Sequence, residues 1–251
     1  MKLSQNPLGD GAAHPLATCL GHLLSLTTLE LEACCLTDDF LESRIVSSLK
    51  QTKLTELSIG WNDWSVPAVK TWLQSLDFRS LNRLSLMATN GVVPLFINAF
   101  RSFQDCRLHY LNLSHCNLSD DDVGLVISSL GQLTHLKKLI FKNNPNLKCA
   151  VVGDLLTRCQ GYAIRIEELD FLGCCLSNSS AADGGHGCSE ALRSFLSWSK
   201  SLHRLALSFR RGECDPCCIS SLSNVWIDIF GNKAVVSQLT PHQFILTVSA
   251  L

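Results

Sequence analysis

Seven times along its 251 residues the chain spells a version of one phrase, L-x-x-L-x-L-x-x-(N/C)-x-L. It runs as LTTLELEACCLT from Leu26, LTELSIGWNDWS from Leu54, LNRLSLMATNGV from Leu81 and LHYLNLSHCNLS from Leu108. LKKLIFKNNPNL follows from Leu136, IEELDFLGCCLS from Ile166, and a worn copy, LHRLALSFRRGE, from Leu202. Start-to-start spacings are 28, 27, 27, 28, 30 and 36 residues. A period this steady fixes the fold class before any single residue is weighed. Each unit is too small to bury its own leucines, so the units must stack and share one core.

The period leaves room for a short strand and a full helix per unit. DDFLESRIVSSL places Phe40, Leu41, Ile45 and Leu49 near helical spacing, and DDDVGLVISSLGQL does so with Val123, Val126 and Leu130. Thr37 and Ser119 stand before acidic residues, as helix N-caps do. The pattern resembles the ribonuclease-inhibitor-like leucine-rich repeats. The fold implied is an α/β solenoid, a curved horseshoe with parallel strands on its concave face and helices on its convex face. The repeats occupy residues 1–212, about seven units plus a partial first one, and residues 213–251 form a C-terminal capping segment. In that cap, CDPCCISSLSNVWIDIFGNKAVVSQL reads as one long amphipathic helical segment, with Val225, Trp226, Ile229 and Phe230 closing the last strand. The tail PHQFILTVSAL reads as a short strand or packing segment. At the other end, Leu3, Asn6 and Leu8 align with the close of the phrase, so the chain starts inside a strand. The expectation is the C-terminal part of a longer protein.

Composition narrows the function. Apolar residues make up 46% and charged ones 17%, with a net charge of −1, which suits a globular chain without a basic field for nucleic acid. No signal-peptide pattern and no apolar run of membrane-spanning length is visible. Thirteen cysteines, an odd count, then read as reduced thiols in an intracellular protein. Cys34, Cys116 and Cys174 hold the N/C place of the phrase and read as structural. His186-Gly-Cys188 with Cys214-Asp-Pro-Cys217 has zinc-ligand spacing and is the best metal candidate, set against a chain rich in cysteine throughout; no metal or other cofactor is assigned. Asp120, Asp121 and Asp122 invite magnesium but fit helix capping better. The loop SNSSAADGGHG, with Ser177, Ser179 and Ser180, reads as a surface insertion or a rim site. The sequons at Asn112, Asn117 and Asn178 read as idle without a secretory route. No phosphate loop, zinc-protease helix or nucleophile elbow is present, so an enzyme is not expected.

By the fold's analogy, the non-leucine strand positions are the contact residues. The partner-binding set is Glu30, Glu32, Glu56, Trp61, Arg83, Met87, Tyr110, His115, Lys138, Lys142, Asp170 and Phe209. Aromatic and apolar anchors on neighbouring rungs (Trp61, Met87, Tyr110) and charges in alternating blocks suit a protein or peptide partner. They suit nucleic acid less, since a phosphate backbone wants a continuous basic stripe. No membrane and no small-molecule substrate is expected. Finally, NPLGDGAAHPLATCLGHLLSLTTLELEACCL is similar to the leucine-rich repeats near the C-terminus of Tonsoku-like proteins. That resemblance implies a non-enzymatic scaffold region in replication-fork repair, in the nucleus. The other readings are the sensor region of a nucleotide-binding leucine-rich-repeat immune receptor and a free-standing inhibitor of ribonuclease-inhibitor type.

Overall fold

A computed structural model describes residues 1–42, 44–101, 106–176, 186–199, 201–209, 216–240 and 243–248, with side chains at all of these except 42, 175, 186–189, 209 and 216–219. The chain divides into two compact units, Met1–Cys116 and Asn117–Leu251.

In the first unit, helix α1 (Ala13–His22) precedes strand β1 (Thr28–Glu30). Then come α2 (Asp39–Glu42), α3 (Ile45–Leu49), β2 (Glu56–Ser58), α4 (Val66–Ser75), β3 (Arg83–Ser85), α5 (Val92–Phe100) and β4 (Tyr110–Asn112). The four strands lie parallel, in sequence order. Thr28 stands beside Glu56, Glu56 beside Arg83 and Arg83 beside Tyr110, so the register equals the period of the phrase. Residues at the start of the chain join the same pattern: Lys2 bridges Glu30, and the Gln5 amide donates to the Glu32 carbonyl at 2.8 Å.

The second unit begins with α6 (Asp120–Ser128), β5 (Lys138–Ile140), α7 (Ala150–Gly161), β6 (Glu168–Leu176), α8 (His186–Trp198) and β7 (Arg204–Phe209). It ends with α9 (Pro216–Phe230), β8 (Ala234–Thr240) and β9 (Gln243–Val248). Strands β5, β6 and β7 are parallel; β9 lies antiparallel against β7, and β8 antiparallel against β9. The helical reading of the cap therefore stops at Phe230. Gly231 takes a left-handed φ of 54°, which ends the helix, and the β-branched Val235 and Val236 follow in a strand. Trp226 is fully buried and donates its indole N–H to the Thr247 carbonyl at 3.0 Å, so α9 closes on β9 rather than on β7 alone. Among the described residues no helix is long and apolar enough to cross a membrane.

Two devices hold neighbouring repeats in register. The first is a left-handed residue at one fixed place in successive repeats. Gln5, Ala33, Trp61, Ala88, His115, Asn143 and Gly173 hold equivalent places and all have φ between 53° and 74°. The turn brings the next residue, the N/C place, inward under the backbone of the preceding repeat. Asn62 shows what that residue does. Its side-chain oxygen accepts from the amides of Cys34 and Leu36 (3.0 and 3.1 Å), and its amide donates to the carbonyls of Leu31, Ile59 and Gly60. Asn144 does the same for Leu118 and Phe141. Cys34, Cys116 and Cys174 are buried and turn their thiols on the carbonyls of Leu3, Leu86 and Phe141. Backbone groups that the turn would orphan are thus paired. Close approach leaves no room at Gly60, where a Cβ would stand 2.5 Å from the Met87 carbonyl oxygen.

The second device is a row of aspartates just past the phrase. Asp10 accepts from the Thr37 amide and hydroxyl (2.8 and 2.7 Å), Asp38 from the Ser65 amide (2.9 Å), and Asp120 from the Lys148 amide (2.8 Å). Each carboxylate reaches one repeat forward. Ser119 caps α6 as expected, in a reciprocal box with Asp122. Thr37, by contrast, is held chiefly by Asp10, and only a 3.4 Å contact reaches the Asp39 amide.

Replacing Asn62 by Ala leaves two amides and three carbonyls without their side-chain partner. The expected loss is about 2–4 kcal/mol, read as a lower urea midpoint with an unchanged slope.

Candidate strand-face site

Strand residues alternate between the core and the open face, so the leucines at 29, 57, 84 and 111 go inward and are almost fully buried. Their neighbours face out. In the first unit six of the expected contact residues come together: Glu30, Glu32, Glu56, Arg83, Met87 and Tyr110 line one cleft of about 330 Å³, with Ser58, Ser85 and Asn112 on its floor. Glu32 reaches across the strands, and its Oε1 accepts from the hydroxyls of both Ser58 and Ser85, the latter at 2.7 Å. Glu56 accepts only a 3.4 Å contact from the Thr28 hydroxyl. Glu30 meets Lys2 at 2.9 Å, whose ammonium it holds above the usual lysine range by hydrogen bonding and charge. Arg83 stands beside Glu56 in register, yet its guanidinium lies 4.1 Å above the centre of the Tyr110 ring. Among the described residues no lysine or arginine pairs with Glu32 or Glu56.

Trp61 and His115 meet at the end of these strands, with ring centroids 4.7 Å apart and planes tilted by 59°. Both occupy the left-handed turn position, two repeats apart. The residue between them there is Ala88, small enough for the indole to pass. On the other side stands Ala33. Trp61 keeps 48% of its surface exposed and, with Ala33, Cys35, Asn62, Asp63 and Ala88, borders a second hollow of about 420 Å³. Glu32 lines the cleft and the next residue, Ala33, lines the hollow, so the two adjoin.

The second unit treats its charges differently. Lys138 pairs with Glu168 (3.0 Å) and Lys142 with Asp170 (3.2 Å), and Arg204 bridges Glu168 (3.0 Å) and Asp170 (2.6 Å). Asp170 is completely buried and also accepts from the Leu172 amide. It is a strut under the face, and not an exposed contact as its place in the phrase suggests. Glu168 and Arg204, outside the expected contact set, complete this network; their opposed register on β6 and β7 was the signal. Phe209 ends β7, and its side chain lies outside those described.

The remaining candidates separate in the same way. Asp120 and Asp122 are engaged with Lys148 and with the α6 cap. Asn112 and Asn117 both hydrogen-bond within the fold, and Asn112 is buried. Cys214, Ser177, Asn178, Ser179 and Ser180 lie outside the described residues, as do the side chains of His186, Cys188 and Cys217. Burial pushes the Cys116 thiol up to about 11 and the Cys159 thiol to about 12, so both stay protonated and inert at neutral pH, while Cys19 and Cys35 are exposed.

These two units define a class: a parallel strand–helix repeat protein that offers a patterned strand face. No family model matches the chain. Over 193 residues, 73% of its length, it is 29% identical to a Tonsoku-like protein of Mus musculus and 31% identical to one of Bos taurus. Over 214 residues, 82% of its length, it is 27% identical to a Tonsoku-like protein of Danio rerio. The matched stretch is 14–15% of the length of those relatives. The chain is related to Tonsoku-like proteins.

Two outcomes test this account. Asp170→Ala takes from Arg204 its buried carboxylate, leaving only Glu168, and lowers stability by about 2–4 kcal/mol, whereas Lys138→Met costs under about 1 kcal/mol; urea melts decide. Stability is full below pH 9, where both buried thiols are neutral folded or unfolded. It falls as pH rises from about 9 towards 12, since only the unfolded thiols then ionise. Melts at pH 8 and 10.5, with Cys116→Ala and Cys159→Ala flattening the difference, measure it.

Proposed function

We propose that the chain is a non-enzymatic protein-interaction module of ribonuclease-inhibitor-like leucine-rich repeat type, the C-terminal part of a larger nuclear scaffold in replication-fork repair. The repair assignment rests on the relationship to Tonsoku-like proteins. The interaction assignment rests on one observation. Trp61, a large apolar side chain, stands half exposed in a left-handed turn where its counterparts include Ala, Asn and Gly. Bulky residues are disfavoured in that conformation, and this one gains little burial in return. Strain that packing against His115 repays only in part points to a functional position. Beside it lie Glu32 and Glu56, with which no lysine or arginine among the described residues pairs, while in the second unit Glu168 and Asp170 meet Lys138, Lys142 and Arg204. The contact residues proposed are therefore Glu30, Glu32, Glu56, Trp61, Arg83, Met87, Tyr110 and His115.

Cells lacking the gene provide the test. The wild-type protein restores survival after a topoisomerase I poison that breaks forks. A Trp61→Asn/Glu32→Gln protein, expressed at the same level, does not. Equal rescue by both, or no sensitivity to the poison, overturns the proposal.

A further inference from the structure

The chemistry of the first unit's face also specifies its partner; this inference rests on the interaction reading and deepens it. We propose that the β1–β4 face binds an extended peptide segment of another protein through a Lys or Arg side chain seated among Glu30, Glu32 and Glu56, with the residue two places along packed against Trp61.

Glu32 is fixed before any ligand arrives. Hydroxyls from two other strands hold one of its oxygens, so the carboxylate points into the cleft without the entropy cost of ordering it on binding. Those neutral donors leave its charge uncompensated. Arg83, the cation best placed to quench Glu56, is drawn over Tyr110. The cleft, at about 330 Å³, has room for a side chain but lies open on the sheet face. Along the strand direction the acidic cleft gives way to the indole. In an extended peptide the side chains of a basic residue and of the residue two places on face the same way, roughly 6.6 Å apart along the chain, and span that change from charge to aromatic surface. The Trp61 ring, backed by His115, offers its face to an aliphatic stem or a second cation. An acidic peptide would meet like charge at Glu32 and Glu56, and an apolar one would bury them without a cation.

The whole chain, immobilised, is panned against a random twelve-residue peptide library. Recovered peptides are then measured by fluorescence anisotropy. The expected result is enrichment of Lys or Arg two places from an apolar residue. Affinity falls at least tenfold in Glu32→Gln and in Trp61→Asn, and two- to fivefold between 50 and 300 mM salt. Glu190→Gln, which removes one exposed carboxylate from α8, leaves affinity unchanged. Trp61→Asn relieves the left-handed strain, so its melting temperature stays level or rises; lost binding is then not lost folding. Enriched peptides that are acidic or apolar, or whose binding ignores both substitutions, overturn the basic-peptide inference and leave the interaction module standing. A face that enriches nothing overturns it as well, and the module then stands or falls on the rescue experiment alone.

Discussion

Everything in this fold hangs on how one repeat's last strand residues meet the next. A left-handed residue at one fixed place in successive repeats tips a single polar residue inward, and that residue pairs backbone groups of its own repeat and of the one before. Stacking alone would bury leucines in many registers, because hydrophobic contact is not directional. The inward Asn or Cys is directional. It allows one register, and the strand pairing follows it with steps of 27 or 28 residues in the first unit. Thr89 shows the limit of the device: its hydroxyl satisfies only the Met87 carbonyl of its own repeat, and the glycine at 60 supplies the close approach there instead.

Fixing the register also fixes what the open face displays. Residues one period apart become lateral neighbours, so opposed charges on successive repeats either cancel or accumulate. In the second unit they cancel, through Lys138, Lys142, Glu168, Asp170 and Arg204. In the first unit Glu30 meets Lys2, but around Glu32 and Glu56 hydroxyls and an aromatic ring take the places where counter-charges would have closed the surface. The turn position adds the other half of the site. A geometry that costs little for Gly or Asn is filled by Trp61 and His115, whose rings project beyond the strands and touch over Ala88.

The strand positions and the Ser119 cap were legible because each depends on residues within a few places of one another. The cap's second half was misread for a local reason too. AVVSQLT is a short apolar run whose period does not separate helix from strand, and the left-handed Gly231 decides the matter. The aspartate row escaped notice because each of its bonds spans a whole repeat. Asp170 looked like a surface charge since its place in the phrase is an outward one; only Arg204 and Lys142, closing over it from neighbouring positions, bury it.

By itself, the sequence determined the unit, its period and the alternation of strand and helix. These follow from spacing along the chain, which the covalent structure already holds. The tertiary structure alone decided which strand side chains line the open face and remain available. Whether Glu32 meets a hydroxyl or a lysine, and whether Trp61 finds a ring two repeats away, depends on side-chain reach across strands about 4.8 Å apart, a distance set only when the repeats have stacked.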